Sequence, residues 1–201
     1  MTRIKFCGIR SDETIPLLNG ILPDYAGFIL SPRFWRYITP KKAEELRGGL
    51  DCRIKTVGVF VDNPIEEVES ILRRGIVDIA QLHGSESGDY IRRLQESTGK
   101  KIIKAFKVTS REILDLAAAS PADWVLLDSG TGTGERFEWS LGKGFDREYF
   151  LAGGLDPDNV SEAVRLLHPF CVDVSSGIET DRVKDGEKMR RFADAVRKCD
   201  I

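Results

Sequence analysis

The sequence predicts an α/β chain folded as a (β/α)₈ barrel, the TIM-barrel architecture, in one domain spanning residues 1–201. Three observations carry that expectation. Eight short β-branched or aromatic runs alternate with longer helix-period segments, which implies parallel strands joined by right-handed crossovers. Several of the runs are apolar almost throughout, as strands are when both faces of a sheet are covered. No linker or shift in composition divides the chain. At 201 residues it lies near the lower limit for eight such units. An open doubly wound sheet is the alternative, but it normally has fewer strands and reverses its order midway.

The elements follow in order. The expected strands are "RIKFC" (3–7), "YAGFIL" (25–30), "IKTVGVFV" (54–61), "VDIAQLH" (77–83), "KIIKAF" (101–106), "DWVLLD" (123–128), "YFLAG" (149–153) and "FCVDVS" (170–175). The expected helices cover 11–19, 40–48, 64–74, 86–98, 110–118, 157–167 and 184–199. The segment "PIEEVESILRRG" shows the logic: Pro at its start, acids in its first turn, then Arg-Arg-Gly at its end, matching the helix dipole and the usual stop signals.

Composition narrows the function classes. The chain has 30 Lys and Arg against 32 Asp and Glu, a formal charge of −2. Such a balance gives no reason to expect nucleic acid or an anionic membrane as a partner. No apolar run reaches the ~18 residues of a membrane span, and the first residues do not read as a secretory signal. Cys7, Cys52, Cys171 and Cys199 are widely spaced and there are two histidines, His83 and His168. No metal site and no disulfide framework is expected from them, and the expected location is the cytoplasm.

In a (β/α)₈ barrel the active site is built at the carboxyl ends of the strands. The seventh expected strand ends in Gly153-Gly154 and the eighth in Ser175-Ser176-Gly177. Glycines let backbone N–H groups approach a phosphate closely, and the loops after strands seven and eight are the usual phosphate site of such barrels. Tight turns alone would also explain these residues. "GTGTGERFEW", with Gly130, Gly132 and Gly134, lacks the Lys-Ser/Thr of a nucleotide P-loop and reads as a lid or substrate-contacting loop. Asp128 closes an apolar strand; it is either a general acid or a cap on the following loop. Cys7 closes the first strand. There it is either a packing residue or a thiolate base, the second requiring nearby positive charge or N–H groups to lower its pKa from ~8.5. Cys171, inside "FCVDV", suits a core position.

Taken together, "KFCGI", "GFIL…RYITP", "VGVFV", "QLHG", "IKAF", "LLD", "GTGERFEW", "LAGGLDPDNV" and "VDVSSGIE…KD" resemble the N-(5'-phosphoribosyl)anthranilate isomerase family, in order from residue 5 to residue 185. The resemblance implies a (β/α)₈ barrel and an Amadori rearrangement of an aminoaldose to an aminoketose in tryptophan biosynthesis. It implies Cys7 as base, Asp128 as acid and Arg36 as the holder of the anthranilate carboxylate. His83 packs beside the substrate or is structural, and Asp173 reaches a sugar hydroxyl. It calls for no cofactor and for a small phosphoribosyl substrate; a barrel this small suits a monomer and a homodimer alike. Phe34, Arg10, Glu138 and the absence of Pro-Gly in "IETDRVKD" depart from the family pattern. The rivals are the sister isomerase of histidine biosynthesis, which would place an aspartate at position 7, and a non-catalytic phosphosugar-binding barrel.

Overall fold

In the computed structural model, which describes residues 1–128, 142 and 144–200, eight parallel strands close into a barrel in sequential order. They are β1 (Arg3–Cys7), β2 (Tyr25–Ile29), β3 (Lys55–Phe60), β4 (Ile79–Leu82), β5 (Lys101–Lys107), β6 (Trp124–Asp128), β7 (Tyr149–Ala152) and β8 (Cys171–Val174). Closure is direct: Arg3 to Phe6 of β1 register with Cys171 to Val174 of β8. Seven α-helices stand among the described residues: α1 (Thr14–Ile21), α2 (Pro40–Gly48), α3 (Ile65–Arg73), α4 (Gly88–Thr98), α5 (Arg111–Ala118), α6 (Val160–Leu167) and α7 (Gly186–Arg197). The glycine-rich stretch with Gly130, Gly132 and Gly134, and Glu138 beyond it, lies outside the described residues. None of the described helices is long and apolar enough to cross a membrane.

Local chemistry sets the helix ends. Thr39 Oγ1 accepts from Lys42 N (3.2 Å) with Pro40 in the first turn of α2, and Ser87 Oγ accepts from Tyr90 N (3.2 Å) at the start of α4. Side-chain acceptors of this kind satisfy otherwise orphaned N–H groups. Two helices begin three residues later than the sequence periodicity suggests. Before α6, Asp156 Oδ1 accepts from Asp158 N (2.8 Å) and Asn159 N (2.9 Å), which makes residues 157–159 a side-chain-braced turn. Before α1, Ser11 O and Asp12 O accept from Thr14 N and Ile15 N, and the helix then runs on to Ile21.

The apolar side chains form two separate cores. One lies between strands and helices and includes Phe6, Phe28, Phe60, Leu82, Leu127 and Phe192. The other fills the barrel itself with Tyr25, Val57, Ile79, Leu126, Phe150 and Cys171. A strand with both faces buried has to supply both cores from alternate residues, which is why the strands read as unbroken apolar runs. Cys171 is the core residue that the sequence suggests.

At the amino end of the barrel, three aspartates just ahead of even-numbered strands each accept a backbone N–H from the preceding odd strand. Asp24 accepts from Ile4 N (2.9 Å), Asp78 from Thr56 N (2.8 Å) and Asp123 from Ile102 N (2.9 Å). Arg47 joins the second clamp through Asp78 Oδ1 (2.7 Å), and Gln95 and Lys101 join the third (2.9 and 2.6 Å). Arg47 and Lys101, with their hydrogen bonds, hold Asp78 and Asp123 below the usual carboxylate range against the opposing effect of burial.

Candidate active site

At the carboxyl end of the barrel a cleft of about 340 Å³ opens, with Cys7, His83, Asp128, Asp173, Gly154 and Ser176 among the residues on its walls. Its size falls within the ordinary range for small-molecule sites. Arg36, Gly153 and Ser175 also face it. Every site residue named from the sequence therefore borders this one cleft, except Gly177, which stands behind the wall.

Gly177 has a steric task. A Cβ there would overlap the carbonyl of Leu155 and stand 3.0 Å from Asp156 Cα, so the loop after β8 rests directly on the loop after β7. Gly153 and Gly154 adopt φ of +94° and +63°, a region that L side chains avoid. Asn159, missed in the sequence, draws back the Gly154 carbonyl (Nδ2 to O, 2.8 Å) and accepts from Asp156 N (3.0 Å). Gly177→Ala is expected to force the two loops apart and lower kcat/KM by about 10- to 10²-fold. Overpacking also costs about 1–3 kcal/mol of stability. Steady-state kinetics with a thermal melt checks both, and unchanged values would show that the loops give way freely.

Cys7 points into the barrel mouth from the end of β1 and is 7% exposed. Two positions earlier on the same strand face lies Lys5, completely buried, whose Nζ donates to Asp173 Oδ2 at 2.7 Å. Gly27 of β2 makes room for both: a Cβ there would stand 2.8 Å from Cys7 Sγ and 3.2 Å from Lys5 Nζ. Burial drives the Cys7 thiol pKa up. Lys5 opposes this, Asp173 adds to it, and Lys184 opposes it more weakly, leaving the pKa above its ordinary value. The positive charge that a lowered thiol pKa requires is thus present, but desolvation outweighs it. Lys5 itself is held protonated: burial disfavours its charge, but Asp173 and Cys7 together outweigh that. Asp173 Oδ1 has no hydrogen-bond partner among the described residues, leaving one carboxylate oxygen able to accept from a hydroxyl.

Asp128, at the end of β6, meets His83, whose Nε2 is 3.3 Å from Asp128 Oδ2. On its other side His83 Nδ1 is 3.0 Å from Gln81 Nε2. A carboxylate beside Nε2 favours the tautomer that carries its proton there, so that Nδ1 accepts from the Gln81 amide. Of the two readings of His83 in the sequence, neither foresaw this: its ring partners are side chains, one of them Asp128.

Arg36, the expected holder of the anthranilate carboxylate, is already paired within the protein. Its Nε and Nη2 bind Glu179 Oε1 and Oε2 at 3.0 and 2.7 Å, a two-pronged pair that planar geometry favours. Lys184 Nζ adds a bond to Glu179 Oε1 (2.8 Å) and one to Ser175 O (2.9 Å). Burial acts to raise the Glu179 pKa, but Arg36 and Lys184 hold it below its usual value. Arg36 packs along Trp35, its guanidinium carbon 4.1 Å from the ring centroid. Arg10 and Arg182 approach the same ring at 5.1 and 5.4 Å. The residues that lack the family's Pro-Gly form a two-stranded hairpin, Glu179–Thr180 with Val183–Lys184, turning through Asp181 and Arg182 at positive φ. Two sequence departures, Arg10 and this hairpin, thus meet at one tryptophan on the cleft wall, and the third, Phe34, lines the same cleft.

Among the described residues no group of three or more His, Cys, Asp or Glu could hold a metal ion. The four cysteines are free thiols.

The family model for N-(5'phosphoribosyl)anthranilate (PRA) isomerase matches residues 4–195. The N-(5'-phosphoribosyl)anthranilate isomerase of Endomicrobium trichonymphae is 41% identical over 194 residues, covering 94% of this chain and 95% of that one. The phosphoribosyl anthranilate isomerase of Thermotoga maritima superposes with a TM-score of 0.90 at 32% identity, covering 98% of this chain and 100% of its own. A second solved phosphoribosyl anthranilate isomerase, in complex with reduced 1-(o-carboxyphenylamino)-1-deoxyribulose 5-phosphate, superposes with a TM-score of 0.88 at 31% identity over the same shares.

Proposed function

The chain belongs to the N-(5'-phosphoribosyl)anthranilate isomerase family, and on that premise we propose that Asp128 and Cys7 are the acid and base with which it converts N-(5-phosphoribosyl)anthranilate to 1-(2-carboxyphenylamino)-1-deoxyribulose 5-phosphate. One observation supports this assignment above the rest: the thiol and the carboxyl group border one cleft together with the glycine and serine loops after β7 and β8.

The residues suit the steps of an Amadori rearrangement. The backbone of Gly153, Gly154, Ser175 and Ser176 receives the phosphate, with Gly177 holding the two loops together. Asp128 gives its proton to the furanose oxygen as the C1–O bond breaks, leaving a protonated Schiff base between C1 and the anthranilate nitrogen. The new carboxylate is met by the Nε2–H of His83. Cys7, as thiolate, then takes the proton from C2, and the C2–H electrons neutralise the iminium to give an enolamine. Protonation of that enolamine at C1, with loss of the C2 hydroxyl proton, gives the ketone. Asp173 Oδ1, without a hydrogen-bond partner among the described residues, accepts from a sugar hydroxyl. The anthranilate carboxylate meets the arginine-lined rim, where Arg36 keeps Nη1 outside its pair with Glu179.

The decisive assay follows the loss of phosphoribosylanthranilate fluorescence on adding the protein. No turnover at substrate saturation would refute the activity. The base should also leave its mark on pH dependence. Because burial raises the Cys7 pKa, the thiolate fraction grows as pH rises through and above neutrality. The kcat/KM of the free enzyme is therefore expected to climb about tenfold per pH unit where Asp128 is still protonated, and to level off once its carboxyl ionises. Turnover left unchanged after Cys7 has been alkylated with iodoacetamide would remove Cys7 from the role of base.

A further inference from the structure

We propose that Lys5 is a positioning residue that favours the thiolate of Cys7, serving as its buried counter-ion when the thiol ionises. This rests on reading Cys7 as the base. Lys5 touches no reacting atom in the steps above, yet it occupies the costliest position available to a lysine, with no exposure at all. An ammonium needs a partner there, and Asp173 Oδ2 at 2.7 Å is one. Structural need alone does not explain the pair, since apolar residues of similar volume commonly replace a buried ion pair without loss of stability. Its position is more telling. Lys5 and Cys7 are two residues apart on β1 and share its inward face. Both press on the space above Gly27, where a single methyl group would contact Sγ and Nζ at once.

The charged groups around Cys7 are Lys5 on its own strand, Asp173 on β8 and Lys184 on the hairpin, with Asp128 and His83 across the cleft. Lys5 is the stronger of the two cations that favour the thiolate, and it acts by charge and by hydrogen bonding. Asp173 neutralises Lys5 while the thiol is protonated. When the thiol ionises, the ammonium lies between two anions, and substrate drawn to Asp173 Oδ1 leaves more of its charge to the sulfur.

The test is the pH dependence of Cys7 alkylation by iodoacetamide, read by peptide mass spectrometry in the parent protein and in Lys5→Met, with exposed Cys52 as internal reference. Lys5→Met is expected to move the Cys7 midpoint up by about one pH unit or more, slowing its alkylation about tenfold near pH 8. Cys52 should not change, and kcat/KM should fall in step with the lost Cys7 thiolate. Because Lys5→Met strands a buried carboxylate, Lys5→Met/Asp173→Asn removes both charges together. It should shift the midpoint in the same direction but by less, since Asp173 opposes the thiolate. A Cys7 midpoint equal to the parent's in whichever variant folds would overturn the proposal. Alkylation needs no substrate, so a shifted midpoint without turnover would defeat the isomerase reading and leave the Lys5 role standing. An unshifted midpoint with full turnover would defeat the Lys5 role alone.

Discussion

Asp128→Asn and Cys7→Ser are each expected to lower kcat by about 10²–10⁴-fold, the usual contribution of a positioned proton donor or acceptor. Asparagine keeps the size of the side chain and its capacity to meet His83 Nε2, 3.3 Å from the carboxylate now, but it has no proton to give to the ring oxygen. Serine fills nearly the same space as cysteine, yet an unassisted hydroxyl does not ionise near neutral pH. Folding should be little affected, since neither residue anchors a core: Asp128 is at the cleft wall and Cys7 is small. The double variant should be only slightly worse than the poorer single one, because groups that act in one sequence of proton transfers are not additive. Fluorescence decay at saturating substrate measures kcat, and circular dichroism checks the fold. Normal turnover in both single variants would mean that other groups move the protons.

The largest effect on stability is expected from Lys104→Met. Lys104 on β5 pairs with Glu86 Oε2 at 2.8 Å, and both side chains are almost wholly buried. Glu86 also accepts from Asp62 N (2.9 Å) and Gly84 N (3.0 Å), and Lys104 bonds to the Gly84 carbonyl. The pair therefore ties the loop after β3 to the loop after β4, beside His83. Methionine would leave the Glu86 carboxylate buried without its cation, a defect that typically costs about 3–5 kcal/mol. Urea unfolding should show this as a lower midpoint with an unchanged slope. A loss below about 1 kcal/mol would show that water reaches Glu86. Since His83 follows β4 directly, kcat/KM should fall as well, although neither residue meets substrate.

The fold was largely legible because it depends on short-range signals. Alternation of apolar runs and helix-period segments located all eight strands to within about two residues at their ends, and a strand that must feed two cores betrays itself by lacking polar positions. Periodicity sets helix starts at residues 11 and 157, three residues early, because it does not register the turns that Ser11, Asp12 and Asp156 brace. The site was legible in part. Cys7, Asp128 and the glycine loops mark themselves by falling where strands stop. Lys5 does not, since a lysine inside "RIKFC" reads as an outward polar position, and its partner Asp173 is 168 residues away. Glu179, 143 residues from Arg36, is hidden for the same reason. Gly27 did leave a trace: a lone glycine inside a strand signals close approach of another group, here the thiol and ammonium of β1.

The aspartate clamps at the base of the barrel bear on how such a chain can be exchanged with its relatives. Each clamp closes within its own stretch of sequence, residues 4–24, 47–78 and 95–123, and these stretches do not overlap. A hybrid gene spliced at residues 25–46 or 79–94 would inherit every clamp from a single parent. A splice between Thr56 and Asp78 would ask an arginine and an aspartate from different ancestries to find each other, so the seams between strand pairs are the natural places for recombination.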